Sequence, residues 1–120
     1  ISSNDPGTHP DDSPENLKTM GETLGLNFPL AFDASQDAAK AFRAACTPEF
    51  YLFDRDRKLI YRGQLDDSRP KNQVPVTGND LRAALDGALA GKPLSVEQKP
   101  GIGCNIKWRP GNEPDYFLHG

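Results

Sequence analysis

The sequence predicts an α/β fold, a mixed sheet flanked by helices and followed by an irregular C-terminal tail. Three observations carry this. The stretches 14–24 and 79–90 have the apolar spacing of amphipathic helices. Two short apolar runs between them, 49–53 and 59–62, are separated by the charged turn 54–58 and read as a hairpin. The opening residue is strand-like and leads through a helix to a second apolar run, an order that implies a parallel pair joined by a right-handed crossover.

Residues 3–13 (SNDPGTHPDDS) are turn formers and acids, and form a surface loop. Ser13 is the N-cap of the first helix and Pro14 its first residue, where a missing N–H does no harm. Leu17, Met20 and Leu24 make one apolar stripe, expected to be buried, and Gly25 ends the helix in a left-handed turn. The run 26–32 contains Pro29, which suits a sheet edge because proline donates nothing to a ladder. Asp33 and Gln36 have capping-box spacing ahead of a short helix over 35–44 that buries Ala38, Ala39 and Phe42. Cys46-Thr47-Pro48 then lead into the hairpin, and 63–79 form a long polar loop.

Thr77, with Asp80 three residues on, opens the last helix. Leu81, Ala84, Leu85, Ala88 and Leu89 form its apolar face, and Gly91 and Pro93 stop it. The chain therefore divides into a body over 1–93 and an extension without periodicity over 94–120. That extension holds Ile102, Ile106, Trp108, Tyr116 and Phe117, more large apolar residues than a disordered tail carries, so parts of it pack on the body.

Composition narrows the function. The hydrophobic share is 36%, with 11 Gly and 11 Pro, which suits a modest core and long loops. A net charge of −3 leaves no basic footprint for nucleic acid. No run approaches the ~20 apolar residues of a membrane span. The chain opens on Ile1 without a methionine and reads as a piece of a longer protein. Two cysteines, Cys46 and Cys104, are too few for a disulfide scaffold, and with His9 and His119 they match no zinc spacing, so no metal is expected. No phosphate loop or nucleophilic serine motif occurs, and no cofactor is implied.

The stretch DASQDAAKAFRAACTPEFYLFDRDRKLIYRGQLDD, residues 33–67, resembles the second half of the peroxiredoxin-like branch of the thioredoxin superfamily. More narrowly it resembles the alkyl hydroperoxide reductase/thiol-specific antioxidant (redoxin) type, where helix, X-Pro, strand, acidic turn, strand and helix follow in this order. Residues 1–6 resemble the strand end and loop before that fold's middle helix. IGCNIKWRPGNEP, residues 102–114, resembles a C-terminal extension of a bacterial subset. The resemblance implies a partial thioredoxin-like domain over 1–93 and a cytoplasmic, thiol-dependent oxidoreductase with antioxidant activity. Its partners would be a thiol or disulfide protein or a small peroxide. The family's nucleophile opens the first helix after the first strand, where the helix N-terminus lowers the thiol pKa. No C-x-x-C occurs here, so that strand, helix and cysteine pair are expected ahead of Ile1, and the isolated chain is expected to be inactive. The other reading is a non-catalytic relative that binds or supports. A sheet lacking its first strand leaves an edge through which the chain could form a homodimer.

The resemblance also assigns residues. Thr47 and Pro48 match the family's cis-proline step, which faces the active cysteines and leaves the backbone of Thr47 free to pair with a thiol substrate. Cys46, just before it, is a resolving thiol or a small buried apolar residue. Cys104 is a second resolving thiol, a partner for Cys46, or an anchor for the tail. Asp66 and Asp67 read as a surface charge cluster beside Arg62 and Arg69, and Trp108 as an anchor of the tail.

Overall fold

The computed structural model describes residues 1–94 and 97–119. In chain order the elements are a 3-10 turn at Pro10–Asp12, α1 (Pro14–Leu24), α2 (Asp37–Ala41), β1 (Cys46–Thr47), β2 (Phe50–Phe53), β3 (Leu59–Gly63), α3 (Asn79–Leu89), β4 (Cys104–Asn105) and α4 (Asp115–His119). This is a small mixed α/β chain with short sheets. It divides into two compact units: one combines 1–45 with 105–120, and the other is 46–104. The extension 94–120 is thus split between them.

In the first unit, Ser13 Oγ accepts the Asn16 N–H at 3.2 Å and Gly25 closes α1 at φ 62°, as the capping residues imply. The expected stripe on α1 is corrected. Leu17 is buried, but Met20 is 43% and Leu24 64% exposed. The helix packs through Leu17 and Gly21 instead; a Cβ on Gly21 would lie 3.5 Å from Leu30, so the returning segment rests on that side. Across α1, Ser2 and Phe32 form a parallel bridge, with Ser2 N–H donating to Ala31 O and Asp33 N–H to Ser2 O, both at 2.8 Å.

The capping box is also corrected. Asp33 does cap α2, accepting from Ala38 N–H at 3.2 Å and Ala39 N–H at 2.9 Å, but Gln36 does not reach back to it. Gln36 takes a left-handed backbone (φ 65°) that turns its side chain inward, where it is 1% exposed. Its Nε2 donates to Ser3 O at 2.7 Å and Lys107 O at 3.0 Å, while its Oε1 accepts Arg109 N–H. The helix itself is shorter than the 35–44 expected, ending at Ala41 before Arg43 turns left-handed at φ 53°. Ala39, Ile106 and Trp108 form the buried cluster here, with Ala44 and Tyr116 against it. The tail residues Ile106 and Trp108 therefore supply core.

In the second unit, β2 and β3 form the expected antiparallel hairpin, Tyr51 opposite Arg62 and Leu52 opposite Tyr61, with an irregularity between Leu52 and Phe53. α3 packs on both strands. Its face narrows from the expected five residues: Ala84 is buried, whereas Leu85 is 37% and Leu89 86% exposed. Tyr61 is fully buried and donates to Gln64 O. β1 and β4 pair as a separate two-stranded sheet.

The loop between β3 and α3 is organised by Asp66, and here the surface-cluster reading is corrected. Asp66 is 5% exposed. Its carboxylate accepts from Gly78 N–H at 2.7 Å, Thr77 N–H at 2.9 Å and Ser68 N–H at 2.9 Å, tying the two ends of the loop together. Asp67, by contrast, is exposed and pairs with Lys99 at 3.2 Å. Among the described residues no helix is long and apolar enough to cross a membrane.

Candidate functional site

The second unit contains a groove of about 1010 Å³, bordered by Thr47, Pro48, Phe50, Arg69, Ile102 and Cys104. The Thr47–Pro48 peptide bond is cis, as the sequence led us to expect, and leads directly into β2. Both residues are exposed at the groove's border.

The other side of the groove is set by a polar cluster. Gln64, buried, donates through Nε2 to Asp67 at 2.8 Å and Asp80 at 2.7 Å, and its Oε1 accepts from Arg69 Nη2. Arg69 Nη1 donates to the carbonyls of Asp66 (2.9 Å) and Ser68 (2.8 Å), so the guanidinium is fixed by the loop it belongs to. Donation from Gly78 N–H, above all, holds the Asp66 carboxyl below its ordinary range; burial opposes this, and Ser68, Thr77 and Arg69 add to it. Sequence reasoning treated Arg69 only as a neighbour of the acids. Nothing in a polar loop distinguishes an arginine fixed by carbonyls from one in solvent.

The two cysteines are both free thiols. Cys104 is exposed at the groove. Cys46 is half-buried, and its Sγ–H donates to Gly101 O at 3.4 Å. Burial pushes the Cys46 thiol up, the charge of Glu49 pushes it further, and Arg62 opposes both. Such a thiol is a weak nucleophile at neutral pH. His9 is exposed, and the side chain of His119 lies outside the described residues. Among the described residues no three His, Cys, Asp or Glu side chains gather as metal ligands.

One expectation at this edge needs correction. Thr47 was to offer a free backbone, yet β1 is already paired with β4. Gly103 approaches so closely that a Cβ there would fall 2.0 Å from Thr47 O. The Gly101-x-Gly103 spacing after Pro100 was the available signal, since glycine permits close backbone approach.

No family model and no curated protein matches the chain. Among the solved structures similar to it are two from bacteria. One is an uncharacterized conserved protein from Geobacillus kaustophilus, 60% identical over 91% of this chain and 58% of its own, with a TM-score of 0.88. The other is a hypothetical protein from Sinorhizobium meliloti 1021, 51% identical over 91% of this chain and 60% of its own, also at 0.88. The chain thus spans about three fifths of the length of either.

Proposed function

We propose that this chain belongs to a thioredoxin-like, redoxin-type thiol-dependent oxidoreductase that reduces disulfides or peroxides. The chain supplies the scaffold and the Thr47–Pro48 border of the site, and the activated cysteine lies in a segment outside these 120 residues. The observation that carries the reading is the order of elements: a parallel bridge across α1, a short helix, Thr47–Pro48 at the border of a groove, and a hairpin packed by α3. The similar proteins, of which this chain spans only part, are long enough to hold such a further segment. Two unpaired cysteines fit a reducing compartment, the cytoplasm.

A second reading, a non-catalytic binding or structural module of the same fold, is favoured by Cys46. Its thiol is raised and engaged with a carbonyl, the opposite of an activated nucleophile. Intact-mass analysis of the full-length protein after one equivalent of hydrogen peroxide separates the two. Loss of two hydrogen atoms to a disulfide as the peroxide is reduced to water, or gain of one oxygen, placed by peptide mapping at a cysteine outside this chain, supports the oxidoreductase. An unchanged mass supports the module.

A further inference from the structure

In the second unit, residues 98–104 run along the end of β3 and across the Thr47–Pro48 step. Arg62 N–H donates to Gln98 Oε1 at 3.0 Å, and Gln64 N–H donates to Lys99 O at 2.9 Å. Lys99 Nζ reaches Asp67 at 3.2 Å. Further along, Gly101 O accepts the Cys46 thiol. Three glycines permit the approach. A Cβ on Gly63 would lie 2.5 Å from Lys99 O, one on Gly101 3.0 Å from Pro48 O, and one on Gly103 2.0 Å from Thr47 O. At Gly63 and Gly103 those distances are shorter than any real Cβ contact, so backbone has to move if a side chain is added. Apolar anchoring is slight, for Ile102 is 68% exposed. A few hydrogen bonds, close backbone contacts and one exposed ion pair seat the segment, which puts it among the parts of a fold that open first.

We propose that residues 98–104 form a strap that occupies the strand edge at Thr47 and thereby selects substrate class. An extended polypeptide adds to a sheet through free backbone groups on an edge strand, and here the chain's own segment already lies on them. A small disulfide or hydroperoxide needs no such edge and enters the groove with the strap seated. The selection rests on the oxidoreductase reading above; the strap itself does not.

The test has two parts, chosen so that the strap and the oxidoreductase reading fail separately. First, the rate of Cys46 alkylation by iodoacetamide is measured in the full-length protein, wild type against Gly103→Ala. The strap predicts at least a tenfold rise, and an unchanged rate overturns it. Should Gly103→Ala fail to fold, Lys99→Glu, a surface change that sets a second acid against Asp67, is expected to raise the rate about threefold, and no rise overturns the strap. Second, turnover of hydroxyethyl disulfide is compared with that of insulin. Wild type is expected to favour the small disulfide and Gly103→Ala to shift the ratio at least tenfold towards insulin. A wild type that reduces insulin as readily as the small disulfide overturns the selection. A wild type that turns over neither of these nor hydrogen peroxide, while Cys46 still responds to Gly103→Ala, leaves the strap standing and overturns the oxidoreductase reading and the selection built on it.

Discussion

The side chain of Gln36 and the backbone of Arg109, 73 residues apart in sequence, are joined by a hydrogen bond from Arg109 N–H to Gln36 Oε1 at 3.0 Å. The same amide holds Ser3 O and Lys107 O, and its Oε1 also accepts Asn112 Nδ2 at 2.8 Å. One buried glutamine thus fixes the start of the chain and the return of the tail within the first unit.

Gln36→Leu should therefore be costly despite its similar volume. It orphans Ser3 O and Arg109 N–H in a part-buried setting, and unsatisfied groups cost up to about 1–3 kcal/mol each when water is shut out. A loss of roughly 2–4 kcal/mol in urea unfolding is expected. A loss below 0.5 kcal/mol, on the order of a neutral surface change, would remove Gln36 from this role.

Trp108 separates packing from hydrogen bonding. It is 8% exposed, contacts Ala39 and Ile106 in the core, and meets Tyr116 edge-on at 6.4 Å between ring centroids. Its buried Nε1–H has no hydrogen-bond partner among the described residues. Trp108→Ala should cost about 3–5 kcal/mol. Trp108→Phe should cost far less, because it keeps an aromatic ring and deletes an orphaned donor. Equal losses in the two variants would show that the indole N–H is satisfied.

Asp66 should make stability depend on acid. Its folded pKa is depressed below the ordinary value of 3.8, chiefly by the Gly78 N–H. A depressed carboxylate stabilises fully above the unfolded value and loses that contribution as pH falls through the folded one. At pH 7, Asp66→Asn should lower Tm. The gap between variant and wild type should narrow as pH falls below about 3.8. A gap that stays constant from pH 7 to pH 2 would show that charge is not what Asp66 supplies.

How legible this was depended on whether a residue announces its surroundings. α1 and α3 could be placed because Ser13, Pro14, Gly25 and Gly91 are local signals, and capping is local chemistry. The hairpin followed from two apolar runs around a charged turn. Trp108 and Ile106 stood out as apolar residues in a polar tail, and both are core. Gln36 and Asp66 did not stand out, because a buried polar residue and a solvated one have the same letter and differ only in distant partners. Met20, Leu24, Leu85 and Leu89 had helical spacing but are exposed, since periodicity marks a face and not how far the neighbours cover it. At the candidate site, Thr47–Pro48 was legible from its context. The covering of Thr47 was not, because the glycines at 101 and 103 permit a close approach without naming the distant backbone that Gly103 meets.

The two cysteines should react very differently. Cys104 is exposed, whereas Cys46 is half-buried, bonded to Gly101 O, and raised by burial and Glu49. Limited iodoacetamide at pH 7.5, read by peptide mass mapping, should label Cys104 first by at least an order of magnitude, since the thiolate is the reacting form. Faster labelling of Cys46 would mean an activated thiol at the Thr47–Pro48 step and would reassign the nucleophile to this chain.

The proposed chemistry is thiol-based, with its nucleophile outside these residues. Steady-state turnover of hydrogen peroxide and of hydroxyethyl disulfide with dithiothreitol, measured side by side for the full-length protein and for the 120-residue chain, tests it most directly. Turnover of at least one substrate by the full-length protein is expected, with a rate for the chain alone no higher than that of free cysteine. Turnover by the chain alone that disappears in Cys46→Ser, or no turnover of either substrate by the full-length protein, would contradict it.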